Sequence, residues 1–325
     1  MLTKRLLQVA VTVAVLASPA MAFEPSSPEC IAPAAPGGGW DFTCRTVGRL
    51  LSEQKLVPGN VQVTNMPGAV GAIAYANVAS KRNNDPNLIV ATSTVGVTQI
   101  AQGKYPAKLD AVRWLAMLGA DVGAVLVKKG SKYDSLDALM QALKTSPDKV
   151  VAGGSSGIGG YDHLRLLMLA QEAGVSKEDL RRIRWVQFEG GGDAVTQLLG
   201  GQLDVVLTDV GEIAGFIKSG DVTALGVLSD DRLQAYPNVK TAKEQGANVI
   251  GYNWRGFYVG GDVSDEAYNG WVDIMQKLYN SDGWKKAAQD AGLTPVWRGG
   301  KEFQNFVRES EARMADISRS IGVIK

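Results

Sequence analysis

The residues of this chain whose types and spacing could do chemistry are mostly glycines, and the chemistry they suggest is capture of an anion by peptide N–H groups. Pro36-Gly37-Gly38-Gly39-Trp40-Asp41 and Met66-Pro67-Gly68-Ala69-Val70-Gly71 each follow a short apolar run, and Ser93-Thr94-Val95-Gly96 ends another. Further on, Gly153-Gly154-Ser155-Ser156-Gly157-Ile158-Gly159-Gly160, Glu189-Gly190-Gly191-Gly192-Asp193 and Asp209-Val210-Gly211-Glu212 repeat the pattern. A strand that enters a glycine turn and then a helix places helix N-termini at strand carboxyl ends, where open α/β sheets hold ligands. The first N–H groups of a helix have no intrahelical partner. Glycine lets a ligand approach them, and the helix dipole favours negative charge there. One such turn is ordinary; five or more point to a cleft lined with oriented amides. Asp41 and Asp193 fall where first-turn acids stabilise a helix.

These turns contain almost no Lys or Arg. Arg255, in Asn253-Trp254-Arg255-Gly256-Phe257-Tyr258, is the exception, and its guanidinium could fork onto a carboxylate. The alternative is an arginine paired with an acid of its own chain. Arg45, a turn past Asp41, reads as a structural partner of that residue. Trp40, inside the first glycine turn, is a candidate cleft wall; Trp254 is a candidate too, with core packing as its default role.

Enzymatic readings are poorer. Gly153-Gly154-Ser155-Ser156-Gly157 fits G-x-S-x-G between a strand and a helix, but a hydrolase of that kind needs a histidine late in the chain. The single histidine, His163, lies a few residues downstream on the same helix, so the triad fails; a Ser–Lys pair on Ser155 or Ser156 stays open without support. One histidine and two cysteines do not make a metal site. Neither G-x-x-x-x-G-K-[ST] nor a well-placed G-x-G-x-x-G is present, so no nucleotide cofactor is expected.

The elements that must position these turns alternate between short apolar strands and amphipathic helices, which predicts an α/β fold with mostly parallel sheets. Strands are expected over Glu29–Ala32, Val61–Asn65, Leu88–Ser93, Val112–Leu118, Ala124–Lys128, Lys149–Gly153, Ile183–Phe188, Val205–Thr208, Thr223–Leu228, Val249–Val259 and Thr294–Arg298. Helices are expected over Asp41–Gln54, Ala69–Ser80, Leu136–Thr145, Tyr161–Gly174, Asp193–Leu199, Glu212–Ser219, Asp265–Asn280, Gly283–Ala291 and Lys301–Ile321. About 300 residues make two domains' worth of chain. No linker divides it, so the expected boundaries are strands crossing near Gly119–Gly123 and Ser229–Asp231. Lobe 1 is then 23–120 plus 230–325, and lobe 2 is 121–229.

Lys4 and Arg5, the apolar run Leu6–Ala17 and the small-x-small Ala20-Met21-Ala22 predict a cleaved signal peptide over residues 1–22. An uncleaved anchor is the alternative, but no run is long enough to span a bilayer comfortably. Without that segment the chain carries 32 Lys+Arg against 33 Asp+Glu, a near-neutral balance that argues against nucleic acid. Cys30 and Cys44, in an oxidising compartment, are expected to form a disulfide across the first glycine turn.

Together these motifs resemble the periplasmic substrate-binding receptors of tripartite tricarboxylate transporters, the Bug family, and particularly its TctC-like branch. Pro36-Gly37-Gly38-x-x-Asp41-x-x-x-Arg45 is similar to the family's first-loop signature, and Asn65-Met66-Pro67-Gly68-Ala69-x-Gly71 to its second. Gly157-x-Gly159 leading to His163-Leu164, and Gly190 followed by Leu198-Leu199-Gly200-Gly201-Gln202-x-Asp204, resemble later blocks. The Cys30/Cys44 pair and Trp254–Tyr258 look like the tricarboxylate branch, whereas Phe188 stands where tyrosine is common and Val259-Gly260-Gly261 replaces a proline-bearing stretch.

The resemblance implies a type II periplasmic-binding-protein fold and capture of a citrate-like carboxylate between two lobes by a monomeric receptor that is not an enzyme. It also implies delivery to a membrane permease of one large and one small subunit; the alternative for such a receptor is that its liganded form signals to a membrane sensor. By position, Gly37, Gly38, Gly39, Trp40 and Asp41 would line the cleft with Asn65, Gly68, Ala69 and Gly71. The turn of Ser155, Ser156, Gly157, Gly159 and Tyr161 would face them. The remaining turns and the arginine add Ser93, Thr94, Gly190, Gly191, Asp209 and Arg255.

Overall fold

The computed structural model describes residues 23–34, 36, 39–188 and 191–325; the expected signal segment, Gly37, Gly38 and Gly190 lie outside the described residues. The chain builds β1 (Glu29–Ala32), α1 (Gly39–Glu53), β2 (Gln62–Asn65), α2 (Ala72–Lys81), β3 (Leu88–Ser93), α3 (Thr94–Ala101) and β4 (Val112–Lys128). It continues through α4 (Leu136–Thr145), β5 (Val151–Gly154), α5 (Tyr161–Glu172), β6 (Arg184–Gln187), α6 (Gly191–Leu199), β7 (Val205–Asp209), α7 (Val210–Ser219) and β8 (Val222–Val227). It closes with β9 (Tyr252–Gly260), α8 (Asp265–Asn280), α9 (Asp282–Asp290), β10 (Arg298–Gly299) and α10 (Gly300–Ser320).

Local chemistry explains most boundaries. Ser135 and Ser264 cap α4 and α8 by accepting the N–H groups of Ala138 and Ala267. Leu136, Leu139 and Leu143 bury one stripe of α4, at helical spacing. β3, apolar throughout apart from its last two residues, is buried along its whole length, as a central strand must be.

The strand order is β2-β1-β3-β9-β4-β7-β5-β6, with β8 and β10 also paired to β4. β1 pairs in parallel with β2 and β3, and β5 with β6 and β7. The ladders made by β4 and β9 are antiparallel, so the sheet is mixed and not mostly parallel as expected. The expected strands Val112–Leu118 and Ala124–Lys128 are one strand. Gly119, Asp121 and Gly123 interrupt the apolar pattern without breaking the ladder, because β4 changes partners there. It pairs with β9 through Val122, and with β7 from Gly123 and β8 from Ala124.

α3 was not expected at all. Thr94-Val95-Gly96-Val97-Thr98 has poor helix propensity, but the helix is capped by Ser93 and buries Val97, Ile100 and Ala101. α10 lies against it: the Thr98 hydroxyl contacts the Met314 sulfur at 3.3 Å, and Gln102 Nε2 donates to Ser318 Oγ at 3.4 Å. Cys30 and Cys44 form the expected disulfide, buried between β1 and α1 with a Cα–Cα distance of 5.7 Å. No helix among the described residues is long and apolar enough to cross a membrane.

Candidate ligand-binding site

Two sets of strand ends carry the glycine turns. Around the first set, the Asp41 carboxylate is buried and accepts from Asn65 Nδ2 (2.8 Å) and Arg45 Nε (2.9 Å). Arg45 also donates to Asn65 Oδ1 at 3.1 Å. This triangle ties the start of α1 to the end of β2, giving Asp41 and Asn65 a positioning role.

The next turn is strained: Gly68, Ala69, Val70 and Gly71 have φ of 134°, 46°, 52° and 93°. Gly68 and Gly71 tolerate such angles, but Ala69 and especially β-branched Val70 do so at a cost of about 1–3 kcal/mol each. The strain is held by neighbours. Tyr105 donates its hydroxyl to the Val70 carbonyl at 2.8 Å, and a Cβ on Gly71 would meet the Tyr105 oxygen at 2.6 Å and the Trp40 ring at 3.2 Å. At the third turn the Ser93 hydroxyl accepts from Val95 N, whereas Thr94 Oγ1 donates to the Tyr252 carbonyl and accepts from Trp254 N. Both residues are buried.

In the second set, the Ser155 N–H and hydroxyl both donate to Asp162 Oδ2, at 3.0 and 2.7 Å, and Ser156 Oγ accepts from Asp162 N. His163 is buried against Trp185, with ring centroids 5.0 Å apart, and its Nδ1 accepts from Gly159 N. That bond leaves Nε2 as the protonated nitrogen. Ser155 is thus hydrogen-bonded to an acid, and the imidazole is engaged elsewhere. Gly157 abuts the Gln187 amide, where a Cβ would come within 3.0 Å, and the Gly159 carbonyl accepts from Gln102 Nε2 at 2.7 Å. The Gly191 N–H that opens α6 donates to Glu212 Oε2 at 2.6 Å.

Between the two sets lies a charged cluster built from the sheet itself. Arg255 faces Ser93 across the β3–β9 ladder, and Asp121 faces Asn253 across β4–β9. Because side chains alternate along a strand, Ser93, Arg255, Asn253 and Asp121 share one face. Asp209, at the end of β7, joins this row through Asn253 Nδ2 at 2.9 Å. A carboxylate only accepts, so the Asn253 amide must turn its NH₂ toward Asp209, leaving Oδ1 to accept from Arg255 at 3.0 Å.

Asp209 also pairs with Arg165, a fully buried guanidinium that pairs with Asp162 at 2.8 Å and donates to the Gly251 carbonyl. It lies over the Tyr161 ring at 4.5 Å. Burial alone would lower the Arg165 pKa, but Asp209 and Asp162 outweigh it, so the group stays charged. Burial likewise lowers the Arg255 pKa, opposed by Asp209 and Asp121. Among the described residues no carboxylate lies within ion-pair distance of Arg255.

Sequence reasoning singled out Arg255 and Asp209 but missed Arg165, Asp162, Asn253, Asp121 and Glu212. The i,i+3 spacing of Asp162 and Arg165 on a helix, and the i,i+2 spacing of Asn253 and Arg255 on a strand, were the available signals. No group of three or more His, Cys, Asp or Glu among the described residues could hold a metal ion.

The model of the tripartite tricarboxylate transporter family receptor, TctC, matches residues 45–323. The chain belongs to that family. It is 28% identical over 304 residues to protein BugT of Bordetella pertussis, covering 90% of this chain and 89% of the relative. A TctC solute-binding protein from Polaromonas has the same fold, with a TM-score of 0.80, 24% identity, and coverage of 91% of this chain and 99% of that one. MatC of Rhodopseudomonas palustris, solved with bound malate, superposes with a TM-score of 0.61 at 19% identity, over 90% and 98% of the two chains. The protein is therefore a periplasmic solute-binding receptor of the TctC/Bug type and not an enzyme, and its family implies a small-molecule ligand and a membrane transporter as partners.

Proposed function

We propose that this receptor captures a di- or tricarboxylate, citrate-like acids first, between lobe 1 (23–120 plus 230–325) and lobe 2 (121–229). The observation that carries the reading is Arg255. Among the described residues its guanidinium makes one side-chain hydrogen bond, to Asn253, and has no carboxylate partner within ion-pair distance; it lies on the face shared by Ser93, Asn253 and Asp121. A partly buried cation with spare donors suits a planar carboxylate. The N–H groups of Ser155, Gly159, Gly191 and Gly211 are held by Asp162, His163, Glu212 and Asp121, so the ligand's other carboxylates would be met by the remaining N–H groups of the glycine turns, with Trp40 and Tyr161 beside them. Malate bound to MatC supports the ligand class.

In this reading residues 1–22 direct export and are removed, and the receptor delivers its ligand as a monomer to a permease of one large and one small subunit. β4 and the segments around Leu228 and Gly251 form the hinge. They are joined by the Gly123 N–H to Gly251 carbonyl, Leu228 N–H to Gly123 carbonyl and Gly251 N–H to Leu228 carbonyl bonds.

A thermal-shift panel tests the ligand class. Citrate, aconitate, tricarballylate, malate, succinate and adipate are compared with sugars and amino acids. A bound ligand raises the transition by mass action, so at least one carboxylate is expected to shift it. No shift with any carboxylate, together with a shift from a sugar, would sink the reading. Arg255→Ala is expected to weaken tricarboxylates by roughly 10- to 100-fold, the loss of a charged hydrogen bond, and dicarboxylates less. Equal loss for both would move Arg255 to a supporting role.

A further inference from the structure

We propose that Asp121 sets the charge of the binding face and couples carboxylate capture to the uptake of one proton, making it a specificity-determining residue for the charge state of the site. This rests on the carboxylate-receptor reading above.

The charged groups that act directly on Asp121 come from three elements: Asp209 at the end of β7, Arg165 on α5 and Arg255 on β9. Asp162 and Tyr161 on α5 and Glu212 on α7 complete the cluster around Asp209. Arg165 is shared by Asp162 and Asp209, which leaves that trio one negative charge in excess. Arg255 offsets that excess and Glu212 adds to it. An ionised Asp121 contributes one more negative charge beside Arg255, against which an arriving anion must bind. A protonated Asp121 removes that charge.

Two observations single out Asp121 over Glu212. Asp121 stands directly opposite Asn253, the residue that holds Arg255, whereas Glu212 docks on the opening amide of α6 and on Thr208. Among the described residues Asp121 makes no ion pair; its Oδ1 accepts from Gly211 N at 3.2 Å, which leaves Oδ2 to carry a proton. Burial first, and then the Asp209 charge, push its carboxyl up to about 6, with Gly211, Arg165 and Arg255 opposing. A ligand carboxylate seated on Arg255 adds negative charge beside Asp121 and raises its affinity for a proton further. By reciprocity the proton raises affinity for the ligand. Above pH ~6 the apparent affinity should therefore fall, by up to tenfold per pH unit if the linkage is complete.

The test is titration calorimetry with malate, tricarballylate and citrate on the full mature receptor and its Asp121→Asn variant, at pH 5.5 and 8.0. The amide keeps an acceptor for the Gly211 N–H, so the variant retains that contact; Asp121→Ala serves as a second variant. Comparing proteins on the same ligand cancels the ligand's own titration. The wild type is expected to lose about tenfold or more in affinity between the two pH values. Both variants should bind at pH 8.0 nearly as tightly as the wild type at pH 5.5. At pH 7, buffers of different ionisation enthalpy should report proton uptake by the wild type and less by the variants. If carboxylates bind but variant and wild-type profiles coincide, this inference is overturned and the receptor reading stands. If no probe binds any of the proteins at either pH, both fall together.

Discussion

His163 is the single histidine of the chain, and burial holds it neutral, with its pKa pushed down to about 4. The unfolded imidazole titrates near 6.5, so the unfolded chain binds a proton that the folded one refuses between those values. This contribution to stability is fully present above pH ~6.5 and is lost as pH falls toward ~4, on the order of 3 kcal/mol in all. Denaturant titrations at pH 7.5 and 4.5 should show that loss in the wild type and little of it in His163→Gln; an equal loss in both would remove the histidine from the account. Asp121 acts with opposite sign, because its folded pKa is raised from 3.8 to about 6. Its contribution is present below ~3.8 and lost as pH rises through ~6, so Asp121→Asn should raise the melting temperature at pH 7.5 and not at pH 4.5. Residue types alone identified Arg255 and Asp209 as candidates. They did not identify Asn253 or Asp121, whose roles come from facing each other across β4 and β9, a pairing of residues more than a hundred positions apart.

At the scale of elements, β4 and α5 meet at one side chain. A Cβ on Gly123 would lie 2.7 Å from Arg165 Nε, so the guanidinium needs the glycine in order to lie flat over the strand. Arg165→Met leaves two buried carboxylates without their cation and is expected to cost about 3–5 kcal/mol, measured by chemical denaturation. Loss of less than about 1 kcal/mol would mean that water already reaches the cluster. Gly123→Ala should destabilise as well, by pushing Arg165 away from Asp209. The bridge between β1 and α1 makes a separate contribution. Replacing Cys30 and Cys44 with serine opens a loop of 14 residues' separation and should cost about 3 kcal/mol on the chain-entropy view. Elements with strong periodicity, such as α4 and α8, were legible to the residue. α3 was not, because a run of threonine, valine and glycine becomes helical only through its cap and its packing on α10. β4 was read as two strands because a local pattern cannot show that its two ends have different partners.

For the whole molecule, the proposed carboxylate sits where the two sets of strand ends approach each other, on the face carrying Arg255. A second candidate space exists. A groove of about 1160 Å³ runs between the segments 229–236 and 292–298, touching the start of α7 at Val210 and Gly211 but lined by neither Arg255 nor Asn253. Its walls include Tyr279, Trp297 and Arg298, the last already paired with Asp230. The two locations make the decisive measurement a crystal structure of the receptor with the carboxylate that gives the largest thermal shift. That ligand is expected to bridge the Arg255 guanidinium and N–H groups of the glycine turns on both sides. Density for the ligand in the 229–236/292–298 groove, with Arg255 still bonded only to Asn253, would contradict it.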